Sequence, residues 1–453
     1  MNEYIDYIYD IKEKVSKNAL KAMELIEAAN EEAYLVGGCV RDILCNMIPN
    51  DFDLTTSATT ERLLGIFNGY TVILTGIKHG TITVLIEGEQ LEITTFREES
   101  GYSDGRRPDR VVFSKNIIDD LRRRDFTMNS IALNSDGKLV DPFGGFSDIK
   151  GKVIRCVGNP VERFGEDGLR ILRAIRFSAV FGFSIENETS KSVHKLKYMI
   201  EKISAERIRT EFNKILLSAK PSNILREYID VICVFIPELK ECIGFEQKNC
   251  HHIYDVFEHT LRVVDSIAPK LELRLAALFH DIGKPSSFTV GKDGEGHFYG
   301  HARISAEMSK KILKRLKYDN KTVSEVYNIV IHHDLQIENR DKIIKRCLLK
   351  FGEKCFFDLI EMKKADNSGQ AEELRYRIDT LCTLEKNARE IIASESCFSL
   401  KTLAVNGNDL IELGLKRGVL IGSTLSLLLE KVICGELDND RDVLLEYTKI
   451  NVL

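Results

Sequence analysis

The sequence predicts an α+β chain, a mixed head followed by a long all-α body. Short β-branched segments separated by Gly or Asn fill the stretch from Ala33 to Phe96, and from Val161 onward the spacing is helical with few breakers. Length points the same way. At 453 residues the chain exceeds one ordinary core, so several structural units are expected.

Taken in order, Ile8, Ile11, Val15, Ala19, Ala22, Met23 and Ile26 have helical spacing and predict an amphipathic lead-in helix. A strand over Ala33–Val36 follows, then Gly37-Gly38 and a short helix around Arg41–Leu44. Asp51–Leu54, Tyr70–Leu74, Thr81–Glu87 and Leu91–Phe96 read as further strands. Ser100–Arg110 is polar, with Gly101, Gly105 and Pro108, and reads as a mobile loop. The body continues as helices through a His-rich stretch to about residue 395 and into a Leu-rich tail. There, Leu425, Leu428, Leu429 and Val432 form a core-facing stripe.

A hydrophobic share of 43% and a charged share of 29% suit a globular protein. No segment holds about 18 apolar residues in a row, so no membrane span is expected. Met1–Lys14 lacks the basic start and apolar run of a signal peptide, which points to the cytoplasm. The 11 cysteines form no C-x-x-C pair and read as reduced, mostly buried thiols. A net charge of −5 weighs mildly against a nucleic-acid partner. Charge is uneven, however: Arg163–Lys214 is net basic, and Lys310–Lys317 reads KKILKRLK, which is either a basic RNA surface or a solvated helix face.

The most informative segment is LVGGCVRDILCNMIPNDFDLTTSA, Leu35–Ala58. Two glycines at a strand end let backbone N–H groups approach a phosphate, and Arg41 can fork to its oxygens. Asp51 and Asp53 flank Phe52, so strand alternation places both carboxylates on one face. Hard oxygen ligands so placed suit Mg²⁺ shared with a triphosphate, and Glu92 is a candidate third carboxylate. Alone, a Gly-Gly is commonly a plain turn and a D-x-D an exposed strand end. It is their order and spacing together that point to chemistry.

VGGCVRD…DFDLTT resembles the first motif of the polymerase-β-like superfamily in its CCA-adding and poly(A)-polymerase branch. LRRRDFTMNSIAL (121–133), DPFGGFSDIK (141–150), EDGLRILRAIRF (166–177) and AERIRTEF (205–212) resemble the motifs that follow in that family, in the same order. The resemblance implies a polymerase-β-like head, an all-α neck, and addition of CMP and AMP from CTP and ATP to a tRNA 3′ end. The alternative it leaves is an A-adding enzyme or poly(A) polymerase of the same class. It also implies that Arg123, with Arg124, contacts the triphosphate. The loop FREESGYSDGRRPDRV (96–111) resembles the flexible loop of relatives that add the final A.

Asp167 and Arg170 are three apart on an expected helix, with Arg173 and Arg176 extending the stripe. The plain reading is a salt bridge. The functional one follows from base chemistry. Cytosine and adenine each show an amine donor beside a ring-nitrogen acceptor, which a carboxylate and a guanidinium complement; uracil and guanine show the inverse. Base selection is also the role the resemblance implies.

Eight of the ten histidines fall between residues 251 and 333. An adjacent His280-Asp281 at a helix end, with further His and Asp on other helices, points to a metal. Mixed imidazole and carboxylate ligands suit Zn²⁺, Mn²⁺, Fe²⁺ or Ni²⁺. LFHDIGKP resembles the signature of HD phosphohydrolases, which implies that His259, His280, Asp281 and Asp366 hold one metal and that His301 and His333 can serve a second. Cys250-His251-His252 lacks a partner motif and reads as structural. The tail also resembles the RNA-contacting segment of relatives, with Lys416-Arg417 placed to meet phosphates. The expected division is a head over 1–160, a neck over 161–235, an HD body over 236–395 and a tail over 396–453.

Overall fold

A computed structural model describes residues 13–453 apart from 103–104, 106–107, 249–252, 293, 371–375 and 395–398. Ile8, Ile11, Cys250-His251-His252 and Cys397 lie outside the described residues. The chain forms two compact units. One holds residues up to Ser218 together with Asn223–Phe235; the other holds Ala219–Ser222 and Ile236–Leu453.

In the first unit, helix α1 (Lys17–Ala28) starts at Ser16, whose hydroxyl accepts from the Asn18 and Ala19 N–H groups, and it buries Ala19, Ala22, Met23 and Ile26. A seven-stranded mixed sheet follows. Its strands are β1 (Ala33–Val36), β2 (Asp53–Thr56), β3 (Thr71–Gly76), β4 (Thr81–Ile86), β5 (Glu89–Thr95) and two short strands at Ala132–Leu133 and Leu139–Val140, in the order β3-β4-β5-β2-β1 and then the short pair. Alternation in β4 and β5 turns Ile82, Val84, Ile86, Leu91 and Ile93 inward. β2 and β5 run parallel with Asp53 opposite Glu92, while β1 and β2 are antiparallel with Val36 opposite Asp53. The glycine turn after β1 therefore leaves the sheet beside the carboxylates. Helix α2 (Gly38–Leu44) follows it.

Three local expectations need correction. Asp51 precedes the strand, which begins only at Asp53. Residues expected as loop supply part of an antiparallel ribbon, Arg97–Ser100 paired with Arg110–Phe113, whose charged residues hide its period. Asp167 does not sit on a helix. Helix α3 (Pro160–Glu166) ends there with extended backbone (φ −144°, ψ 107°), and helix α4 (Leu169–Phe181) starts two residues later. Gly168 permits the break, because a Cβ there would meet the Met199 carbonyl oxygen at 2.9 Å. Helix α5 (Ala205–Leu216) packs on α4.

The second unit is helical. α6 (Val256–Ser266), α7 (Leu271–Phe279), α8 (His301–Arg315), α9 (Asn320–His332) and α10 (Asp341–Ser368) are its main elements, with α10 broken at Gly352 (φ 73°). A further cluster, Leu403, Val405, Leu410, Leu415, Leu428, Leu429, Ile433 and Leu444, forms the tail core, with Leu425 and Val432 packed against it. Lys416 and Arg417 stand exposed before its long helix. Among the described cysteines, all free, Cys39, Cys156 and Cys242 are buried and Cys382 is exposed; the rest are half-buried, less buried than expected. Among the described residues no helix is long and apolar enough to cross a membrane.

Candidate functional site

The first unit has a cavity of about 610 Å³, within the size range of small-molecule sites. Gly37, Gly38, Arg41, Asp51, Asp53, Arg123, Asp167, Arg170, Arg173 and Arg176 all line it. Gly37 adopts φ +75°, and a Cβ there would press on the Arg124 guanidinium at 2.9 Å. Burial, with Asp51 and Glu92 beside it, pushes the Asp53 carboxyl up to about 6 against the pull of Arg124. Crowded carboxylates of this kind are relieved by a bound cation. Glu92 is exposed and stands across from Asp53 in register.

The arginines are held individually. Arg41 donates to Asp42 (2.8 and 2.6 Å) and to Asn129 Oδ1 (2.8 Å). Arg123 donates to Asp120 (2.9 and 2.7 Å) and Glu99 (3.1 Å). Arg173 pairs with Asp125 at 2.7 Å and Arg176 with Glu211 at 2.7 Å. Burial alone would raise the Asp125 carboxyl, but Arg173 and the Asn129 amide hold it well below its usual range. Burial lowers the Arg176 guanidinium to about 10, partly offset by Glu211. Arg41, Arg173 and Arg176 also surround one ring, Phe177, at 5.1, 5.3 and 4.0 Å from its centroid.

Asp167 and Arg170 share the cavity but do not pair with each other. Arg170 donates to Glu166 Oε2 (2.5 Å) and to the Arg163 and Arg123 carbonyls (3.1 Å each). Asp167 Oδ1 accepts from the Leu169 N–H (3.0 Å) and Oδ2 from Arg207 (2.9 Å). The simple i,i+3 salt bridge is thus absent, and both groups keep capacity facing the cavity. Asp42, Glu99, Asp120, Asp125, Asn129, Glu166, Arg207 and Glu211 are partners that sequence reading missed. They lie inside or next to the quoted motifs, but charge pairing across motifs leaves no periodic signal.

The second unit gathers a different chemistry. Among the described residues, His259, His280 and Asp281, and likewise Asp281, His301 and His333, place ligand atoms within 4.8 Å of one another. The head carboxylates do not converge this tightly. Asp366 stands 3.0 Å from His259 Nε2. Each ring's Nδ1–H donates to a carbonyl: His259 to Gly369 (3.1 Å), His280 to Ala277 (2.8 Å), His301 to Phe298 (2.9 Å) and His333 to Val330 (2.6 Å). The Nε2 atoms are left facing one another, His259 to His280 at 3.3 Å and His301 to His333 at 3.2 Å. An imidazole whose Nδ1–H is held by a carbonyl presents Nε2 as its ligand atom, and the carboxylates of Asp281 and Asp366 lie beside these atoms. Burial, with His280 and His301 nearby, pushes His333 down to about 3, so it stays neutral. The donor set therefore fits a divalent metal. Lys284 donates to Asp281 (2.8 Å) and Gln247 (2.7 Å).

Carboxylates lined up across a parallel strand pair, beside a glycine turn and above a cavity of arginines, define a nucleotidyltransferase. Family models match in three places: a poly A polymerase head domain over 33–155, a probable RNA and SrmB-binding site of polymerase A over 182–241, and an HD domain over 252–368. A CCA-adding enzyme of Ligilactobacillus salivarius is 32% identical over 437 residues, 96% of each chain. One from Limosilactobacillus reuteri is 34% identical over 431 residues, 94% of this chain and 95% of its own. The crystal structure of the Bacillus stearothermophilus CCA-adding enzyme in complex with CTP superimposes with a TM-score of 0.70 at 27% identity, covering 95% of both chains. The chain belongs to the CCA-adding enzyme family.

Proposed function

We infer that the chain is a tRNA nucleotidyltransferase that adds CMP and AMP, without a nucleic-acid template, to the tRNA 3′ end from CTP and ATP. The observation that carries this reading is the one cavity that Asp51, Asp53, Asp167 and Arg170 all line. The rival of A-only or poly(A) addition is not favoured, since the relatives above are CCA-adding enzymes.

In this reading Gly37, Gly38, Arg41 and Arg123 seat the triphosphate, and Asp51 and Asp53, with Glu92, hold Mg²⁺. A bound divalent ion supplies activation of the RNA 3′-hydroxyl and neutralisation of the leaving pyrophosphate. Asp167 accepts from the exocyclic amine of C or A while Arg170 donates to the adjacent ring nitrogen. Arg173 and Arg176 stabilise the phosphate side of the cavity. The oxygen of the terminal ribose attacks the α-phosphorus, its proton leaves to a base, and pyrophosphate departs. A tRNA substrate and the thiol-rich chain favour work in the cytoplasm.

Incubating tRNA lacking CCA with labelled CTP and ATP, separately and together, tests the assignment. The expected products are CC with CTP alone and CCA with both. Asp53→Ala is expected to lower the rate by about a hundredfold, since loss of even an outer-shell partner of a metal costs about 10–100-fold. A variant extending tRNA at the normal rate would overturn the site. For the second unit, the converging Nε2 atoms favour a transition metal (Mn, Ni, Fe or Zn) and phosphoester hydrolysis.

A further inference from the structure

Asp167 lies between two helices, so helix packing does not fix its carboxylate. What fixes it is two hydrogen bonds, one to each oxygen: the Leu169 N–H on Oδ1 and the Arg207 guanidinium on Oδ2. The Leu169 contact is only two residues away along the chain and turns with the same backbone. Arg207 comes from α5, 40 residues on, and is the tie to a different element. A carboxylate held by one donor can rotate about its terminal torsion, which is broad and roughly two-fold; a second, charged donor narrows it. The same helix reaches α4 again at Glu211, one turn further, which holds Arg176 at 2.7 Å. Arg207 and Glu211 therefore lie on one face of α5, at i and i+4, and both act on the cavity wall.

We propose that Arg207 is a specificity-determining positioning residue: it orients the Asp167 carboxylate so that C and A are accepted and U and G rejected. This rests on the base-reading role given to Asp167 above. In this proposal the guanidinium, although it lines the cavity, contacts neither the reacting phosphate nor the base. Its five donors include one committed to Oδ2, and the lone pairs left on Asp167 are aimed into the cavity by that commitment.

The chemistry makes a distinct forecast. Loss of a merely structural contact slows all four nucleotides in proportion. Loss of an aiming contact lets the carboxylate turn away, so the matched bases lose a hydrogen bond while the mismatched ones lose a repulsion. The ratio of kcat/KM for CTP over UTP, and for ATP over GTP, is therefore the diagnostic quantity.

The experiment compares full-length wild type with Arg207→Met, which keeps most of the side-chain volume, and Arg207→Lys, which restores one charged donor. Initial rates are read with each nucleotide on tRNA ending before or within CCA, alongside thermal melts. We expect Arg207→Met to lower both ratios by about tenfold, the loss of one charge-assisted hydrogen bond, and Arg207→Lys to recover part of it. Unchanged ratios with a uniform fall in rate would overturn the proposal, as would unchanged ratios and rates. Asp167→Ala serves as the reference. If it relaxes selection while Arg207→Met does not, the positioning role fails and the base-reading role stands. If Asp167→Ala itself leaves selection intact, the base-reading role fails first. A variant too unstable to assay would leave Arg207→Lys to decide the outcome by the same ratios.

Discussion

Phe177 shows how one apolar residue organises charge. Three guanidiniums close around a single ring would repel one another in an apolar setting; the carboxylates of Asp42, Asp125 and Glu211 offset that repulsion, and the negative face of the ring adds a smaller attraction. Phe177 is 3% exposed and also packs edge-on against Phe126, so its loss has two effects. Phe177→Leu is expected to cost stability of about 1 kcal/mol through imperfect packing. It is also expected to raise KM for CTP and ATP together, by on the order of tenfold, because the arginines relax from their common centre. Steady-state rates for the two nucleotides check this; an unchanged KM for both would remove Phe177 from triphosphate binding. The sequence put Arg41, Arg173 and Arg176 on the list of binding groups, but nothing in their spacing announced the ring they share.

Among elements, the ribbon of Arg97–Ser100 with Arg110–Phe113 is instructive. The expected polar loop, Ser100–Arg110, overlaps it only at Ser100 and Arg110; Arg97, Glu98 and Glu99 lack an apolar face, and the strand exists through pairing with Val111, Val112 and Phe113. Glu99 ties it to the cavity by accepting from Arg97 (2.8 Å), Arg123 (3.1 Å) and Tyr102 (2.9 Å). Burial alone would raise this carboxyl, but Arg123 and Arg97 bring it below its usual value. Its stabilising contribution is then fully present above the unfolded value, about 4.3, and is lost as pH falls through the folded one. The stability gap between wild type and Glu99→Gln should be constant near neutrality and shrink on acidification below that value, as denaturant midpoints would show. A gap independent of pH would mean the carboxylate's charge is not what holds the ribbon. Legibility followed period. β1, β4 and β5 were readable because alternation buries one face, and the tail helix because of its Leu stripe. Asp51 lies before its strand and Asp167 beyond its helix because element ends are set by local capping and by a close approach at Gly168, which the residue pattern does not carry.

At the scale of the whole molecule, two units carry two chemistries, and the chain visits the second for Ala219–Ser222 before returning. In the second unit, Asp281 is shared by both ligand groups among the described residues, Oδ2 toward His259 and His280 and Oδ1 toward His301 and His333. Asp281→Ala is therefore expected to strip bound metal from purified protein while nucleotide addition continues. Elemental analysis beside a tRNA extension assay separates these, and full metal content in the variant would refute the bridging role. The orienting contacts of the four imidazoles differ in reach. His280, His301 and His333 are each aligned by a carbonyl three residues upstream, so their aim is written into single helix ends. His259 leans on Gly369, 110 residues away. During refolding, three rings can acquire their orientation as soon as local turns form, whereas the fourth must wait for a long loop to close. Assembly of this centre is therefore expected to be ordered in time, with His259 the latecomer.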